Sequence, residues 1–104
     1  MREYMKHTRK IKLKRVAVKR YVGDIILLYR LTEERIVCLR GGYGDEYYSL
    51  SVTKIDCRGQ RREVKHLCDI SRDRAEAERI FRTVSRALVT PCTVAEIVGD
   101  MIGI

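Results

Sequence analysis

The chain has no tryptophan and a single phenylalanine among its 104 residues, so its core must come from Ile, Leu, Val and Tyr. Long apolar runs are missing too. The longest, Ile25 to Tyr29, falls far short of the ~18 residues that cross a bilayer, and no apolar stretch of ~7 to 15 residues follows the basic N-terminal region as an export signal would require. The expected location is therefore cytoplasmic, away from membranes. In that compartment Cys38, Cys57, Cys68 and Cys92 are expected as reduced thiols.

Catalytic and metal-binding signatures are absent as well. Cys57, His66 and Cys68 could approach one another across a hairpin, but the Cys-x-x-Cys knuckles of a zinc site are lacking, so neither a metal nor another cofactor is expected. As a nucleophile and base, Cys68 and His66 fare no better, because side chains at i and i+2 of a strand stand about 7 Å apart, beyond proton-transfer reach. Cys68 reads as a small core residue and Cys57 as a turn residue. The carboxylates, such as Glu33-Glu34 and Asp73, Glu76 and Glu78, form no convergent pair, which leaves an enzyme without a site. Gly41 to Gly44 leads into Tyr47-Tyr48 of a strand rather than into a helix N-terminus, so it reads as a hairpin turn and not a phosphate loop. There is no internal repeat and no low-complexity segment.

What the chain does have is a one-sided distribution of charge. Its net charge is +8, and residues 1–23 hold Arg2, Lys6, Arg9, Lys10, Lys12, Lys14, Arg15, Lys19 and Arg20 against one acid, Glu3. From Asp24 to Ile104 bases and acids balance. Residues 1–23 thus read as a basic leader or a lysine-guarded edge strand, and residues 24–104 as a single domain. A phase flip of the apolar residues at Lys14-Arg15, from Ile11 and Leu13 to Val16 and Val18, fits a strand with a bulge. Lys6, Arg9, Lys10, Lys12, Lys14, Arg15, Lys19 and Arg20 are the candidates for contact with nucleic-acid phosphates. Of the six tyrosines, Tyr29 and Tyr48 read as cross-strand core residues, whereas Tyr4, Tyr21, Tyr43 and Tyr47 read as free to stack on bases.

Beyond a Gly23-Asp24 turn, periodicity predicts a strand over residues 25–32, a polar break at Glu33-Glu34 and a strand over 35–39. Tyr48, Leu50 and Val52 alternate with Ser49, Ser51 and Thr53 as in a half-buried strand, and after a turn at 56–60 Val64, His66 and Cys68 share one phase of the next. Ser71 is placed to cap a helix with Asp73 in its first turn, and Ala77, Ile80, Phe81, Val84 and Leu88 form its apolar stripe. Thr90-Pro91 opens a second helix, with Thr93 and Glu96 at capping-box spacing. Strands before helices predict an α+β domain, with a mainly antiparallel sheet of four to five strands followed by two C-terminal helices packed on one face.

The strand Tyr48-Ser49-Leu50-Ser51-Val52, the run Cys68-Asp69-Ile70-Ser71 entering a helix, and Val89-Thr90-Pro91 followed by Val94-Ala95-Glu96-Ile97-Val98-Gly99-Asp100 carry a resemblance. They are similar to a family of small bacterial proteins, common in spore-forming Firmicutes, known only as a domain of unknown function. The resemblance runs from about Tyr48 to Ile102, leaves the cationic leader outside, and implies a small α+β module with no catalytic residues.

Two function classes follow. The first is a noncatalytic regulatory or binding module that contacts a protein partner, or itself as a homodimer, through Val94, Ile97, Val98, Met101 and Ile102, a helix surface more apolar than one sheet face is expected to cover. The second is a nonspecific DNA- or RNA-binding protein using the basic segment.

Overall fold

The structure, a computed structural model, describes residues 8–38 and 44–103, with Thr8, Arg9 and Cys38 described by their backbone alone. The strands are β1 (Thr8–Val22), β2 (Ile25–Cys38), β3 (Glu46–Asp56) and β4 (Arg61–Ser71), followed by helices α1 (Arg74–Arg86) and α2 (Pro91–Ile102). They form one antiparallel sheet in the order β1-β2-β3-β4. The expected α+β class, strand range and terminal helix pair are all present.

The described part of the cationic segment, Thr8–Val22, is sheet. β1 pairs with β2 from Thr8–Cys38 to Val22–Ile25, and its register shifts between Lys12 and Lys14, where the apolar phase flips. Gly23, with φ +58°, closes the turn. Glu33-Glu34 does not break β2, which runs through both residues as a single strand. The reason is local: Glu34 finds a cation in the neighbouring strand, so its backbone can stay in the ladder. β2 and β3 are antiparallel neighbours, as a hairpin requires; the turn residues 39–43 lie outside the described residues. Gly44 passes against the Ile36 carbonyl with no room for a Cβ.

Directly opposed residues share a face of a sheet. Leu27, Tyr29 and Leu31 of β2 with Leu50 and Val52 of β3 therefore make one face, and the helices pack on it against β2, β3 and β4. Ala77, Ile80, Phe81 and Val84 of α1 and Val94 and Val98 of α2 complete the core, together with Ile70 and Val89. Full burial of one such Val or Leu contributes about 1.5–3 kcal/mol. The Tyr29 hydroxyl donates to the Val89 carbonyl across 2.8 Å. Burial pushes the phenol up to about 12.

The helix ends differ from the sequence expectation. Asp73, not Ser71, caps α1: its carboxylate accepts from the Glu76 N–H at 3.1 Å. Ser71 supports that cap, its Oγ accepting from the Asp73 N–H. At the other end α1 stops at Arg86, the Val89 N–H reaches back to the Val84 carbonyl, and Leu88 adopts φ +56° and is exposed rather than part of the stripe. Thr90, with Pro91 at the first helical position, is the N-cap of α2, so Thr93 lies inside the helix. Thr90 contributes its carbonyl, which accepts from the Thr93 and Val94 N–H groups.

Candidate functional site

Among the described residues, no helix packs on the second face of the sheet. Pairing places Lys10, Lys12, Arg15, Lys19 and Tyr21 of β1 there, beside Ile26, Leu28, Arg30, Thr32 and Glu34 of β2, Tyr47, Ser49, Ser51, Thr53 and Ile55 of β3, and Arg62, Val64 and His66 of β4. Among these strand residues six are Lys or Arg and one is acidic. Two of the six, Arg30 and Arg62, lie outside the basic segment. They sit in the charge-balanced part of the chain, where composition hides them; alternation against the core residues Tyr29 and Leu31 is the signal that assigns Arg30 to the open face.

The single acid is already neutralised. Glu34 is 4% exposed, its Oε2 lies 2.9 Å from Lys10 Nζ, and the ammonium also stands 5.7 Å from the centre of the Tyr47 ring. The hydrogen bond to Glu34 raises the Lys10 pKa above its ordinary value, outweighing a small opposing effect of burial. Tyr47 is thus buried under Lys10 rather than free to stack. Tyr21 is 70% exposed, as expected of a free ring; Tyr4 and Tyr43 lie outside the described residues.

Short side chains in the middle of this face leave a hollow of about 240 Å³. Thr32, Ser49 and Ser51 are its short polar residues, and Lys12, Arg15, Arg30 and His66 border it with longer ones, together with the paired Lys10 and Glu34. Ser49 Oγ accepts the Asp69 N–H at 3.3 Å, where β4 bulges and Asp69 takes φ +53°. Leu67 opposes Leu50 on the helix side, so alternation places the next residue, Cys68, on the open face with His66. Cys68 lines the hollow and is exposed, contrary to its expected place in the core. Ser51 Oγ is buried without a hydrogen-bond partner among the described residues. Lys12, Arg15, Arg30, Lys19 and Arg62 form no ion pair among those residues.

The eight sequence candidates are therefore divided. Lys10, Lys12, Arg15 and Lys19 gather on the open face, whereas Lys14 and Arg20 oppose Glu33 and Leu27 on the helix side. Arg9 is described by backbone only and Lys6 lies outside the described residues. On α2, Val94 and Val98 are buried, and Ile97, Met101 and Ile102 are half-buried against the same core. Cys57 lies in the β3–β4 turn, six positions beyond Ser51 of the Ser51–His66 pair, or about 20 Å at strand spacing, so the three suspected metal ligands are not brought together. Among the described residues no three His, Cys, Asp or Glu side chains cluster to hold a metal, and no helix is long and apolar enough to cross a membrane.

A family of unknown function, DUF6514, matches residues 8–103. The chain belongs to the DUF6514 family. The match is wider than the Tyr48–Ile102 segment that carries the sequence resemblance, and it takes in β1, so the cationic strand is part of the DUF6514 domain. No curated protein and no solved structure matches the chain.

Proposed function

We propose that this DUF6514 protein is a noncatalytic cytoplasmic module that holds nucleic acid by its phosphates, without sequence preference, across the open face of the sheet. The observation that carries this reading is the convergence of Lys10, Lys12, Arg15, Lys19, Arg30 and Arg62 on one face, where the single carboxylate among the described, paired strand residues, Glu34, is buried and paired. Phosphate contacts of this kind position a strand but do not read its bases. With about four contacts to a single strand, log K falls against log salt with a slope near −3, roughly a 50-fold loss between 50 and 200 mM. Fluorescence anisotropy with labelled single-stranded RNA, single-stranded DNA and duplex over that salt range tests it. Absence of binding to all three at 50 mM salt rejects the proposal.

A second reading, contact with a protein partner or a second copy, is favoured by β1. It is an edge strand on which Ile11, Leu13 and Val16 are exposed, and an unpaired strand rim is a template for another chain. Sedimentation at rising concentration tests self-association: a monomer throughout excludes the second copy.

A further inference from the structure

The cations of the open face are not spread evenly. Lys12, Arg15 and Arg30 lie around the hollow, while the next two rows across the sheet, Lys19–Leu28–Thr53–Val64 and Tyr21–Ile26–Ile55–Arg62, carry one charge each, at the β1 and the β4 edge, and are otherwise apolar apart from Tyr21 and the buried Thr53. Ile26, Leu28 and Ile55 are half-buried there, and Val64 and Tyr21 are exposed.

From this division we infer that the hollow is a subsite for a terminal phosphate of a nucleic-acid strand, with the adjoining nucleotides laid over the apolar rows. The inference rests on the nucleic-acid reading above and adds to it a fixed position for one strand end. Four cations and one carboxylate line this small space; Glu34 is paired with Lys10, and the three cations left without an ion pair among the described residues, Lys12, Arg15 and Arg30, exceed the single charge of a phosphodiester. A terminal phosphomonoester carries about −1.5 to −2 at neutral pH and offers three acceptor oxygens. Arg15 and Arg30 present the planar fork that binds such oxygens in pairs. The buried Ser51 hydroxyl, which lacks a partner among the described residues, supplies a further donor at the same place. A hollow of about 240 Å³ lies below the ~300 to 1,000 Å³ of pockets that enclose whole small ligands. It suits one group of a larger molecule. A nucleic-acid strand fits better than a phosphopeptide because the neighbouring surface is an apolar platform with one exposed aromatic ring and flanking cations, as base stacking and backbone tracking need.

The test uses the full chain and labelled single-stranded octamers of one sequence bearing a 5′-phosphate, a 3′-phosphate or neither. An additional charge-assisted hydrogen bond at one end tightens binding by roughly tenfold, and a gain of fivefold or more at either end is the expected result. In Arg30→Gln and in the pair Lys12→Gln/Arg15→Gln that gain should fall below about twofold, with the melting temperature recorded to show that at least one variant is folded. A gain below fivefold at both ends overturns the subsite while leaving nonspecific binding in place. Retention of the full gain in a folded variant overturns its location. A free nucleoside monophosphate that binds as tightly as the phosphorylated octamer overturns the strand end as ligand, and lack of binding by every octamer overturns both this inference and the proposed function.

Discussion

Val52 and Ser51 are neighbours in β3, yet Val52 is fully sealed under the helix layer and Ser51 lies in a cationic hollow. The same contrast repeats at Tyr29 and Arg30 in β2. In the core under the helices, position is enforced by packing: its residues are apolar, and the one polar atom of Tyr29 is hydrogen-bonded. On the open side, the backbone hydrogen bonds of the sheet supply rigidity and leave the side chains to hold charge at fixed spacing. Repulsion among those cations opposes folding, so stability alone does not explain their placement. Retaining them is consistent with a site built for an anion.

The largest effect is expected where the two faces are confused. Val52→Asp buries an unpaired carboxylate beneath α1 and α2 and should cost more than about 4 kcal/mol, leaving the chain unfolded by circular dichroism. Ser51→Asp, one residue away, should keep the fold and weaken polyanion binding by about tenfold. A folded Val52→Asp protein would show that the helix layer is not the core.

A same-strand comparison separates face from net charge. Lys12→Glu/Arg15→Glu reverses two cations on the open face, and Lys14→Glu/Arg20→Glu reverses two on the opposite face of β1. Both change the net charge equally. The first pair should lower affinity for single-stranded RNA at least tenfold at 100 mM salt and flatten the salt slope by about 1 to 2, the second by less than about threefold. Equal losses would mean that binding follows net charge and that the open face is no site.

Most of the helix-covered face was legible in the sequence, because burial against one layer imposes a period of two on strands and three to four on helices. Leu50 and Val52, or Ala77, Ile80, Phe81 and Val84, needed nothing more. Failures fall where tertiary partners override local signals. Glu34 reads as a strand breaker until Lys10 is seen across the ladder, and Cys68 reads as core until pairing shows that the phase it shares with Val64 and His66 is the open face. Leu88 continues the stripe on paper but lies past the last turn of α1. The candidate site was legible only in part for a different reason. Composition pointed to β1, but a face is shared among strands, and Arg30, Arg62, Ser49 and Ser51 join it only once pairing is known.

Tyr29 sharpens the comparison at intermediate cost. Tyr29→Phe leaves the Val89 carbonyl without its donor and should destabilise by about 1–2 kcal/mol near neutral pH. The phenol's pKa is raised by burial to about 12, from an ordinary value of about 10. The folded state therefore holds this proton longer than the unfolded one. Its contribution is complete below the unfolded value and is lost as pH rises through the folded value. Urea denaturation from pH 8 to 12 should show the gap between wild type and variant closing over that window, with RNA binding at neutral pH unchanged. A gap constant with pH would contradict the burial of Tyr29.

The smallest effect tests whether the two faces are independent. Leu88 occupies the left-handed position just past α1, with φ +56° and its side chain exposed, and the Val89 N–H bonds the Val84 carbonyl around it. Glycine is the usual residue at this place in a helix C-terminal motif because a Cβ costs roughly 1–2 kcal/mol in the left-handed region. Glycine in turn gives up some of that gain through its larger unfolded-state entropy. Leu88→Gly should therefore stabilise the domain by a net of about 0.5–1 kcal/mol, a rise of several degrees in melting temperature for a chain of this size. The open face shares no residue with this turn, so nucleic-acid affinity should stay within about twofold. A stabilised variant with altered affinity would show that the helix layer controls the shape of the open face, and the two sides of the sheet would then have to be treated as one coupled unit.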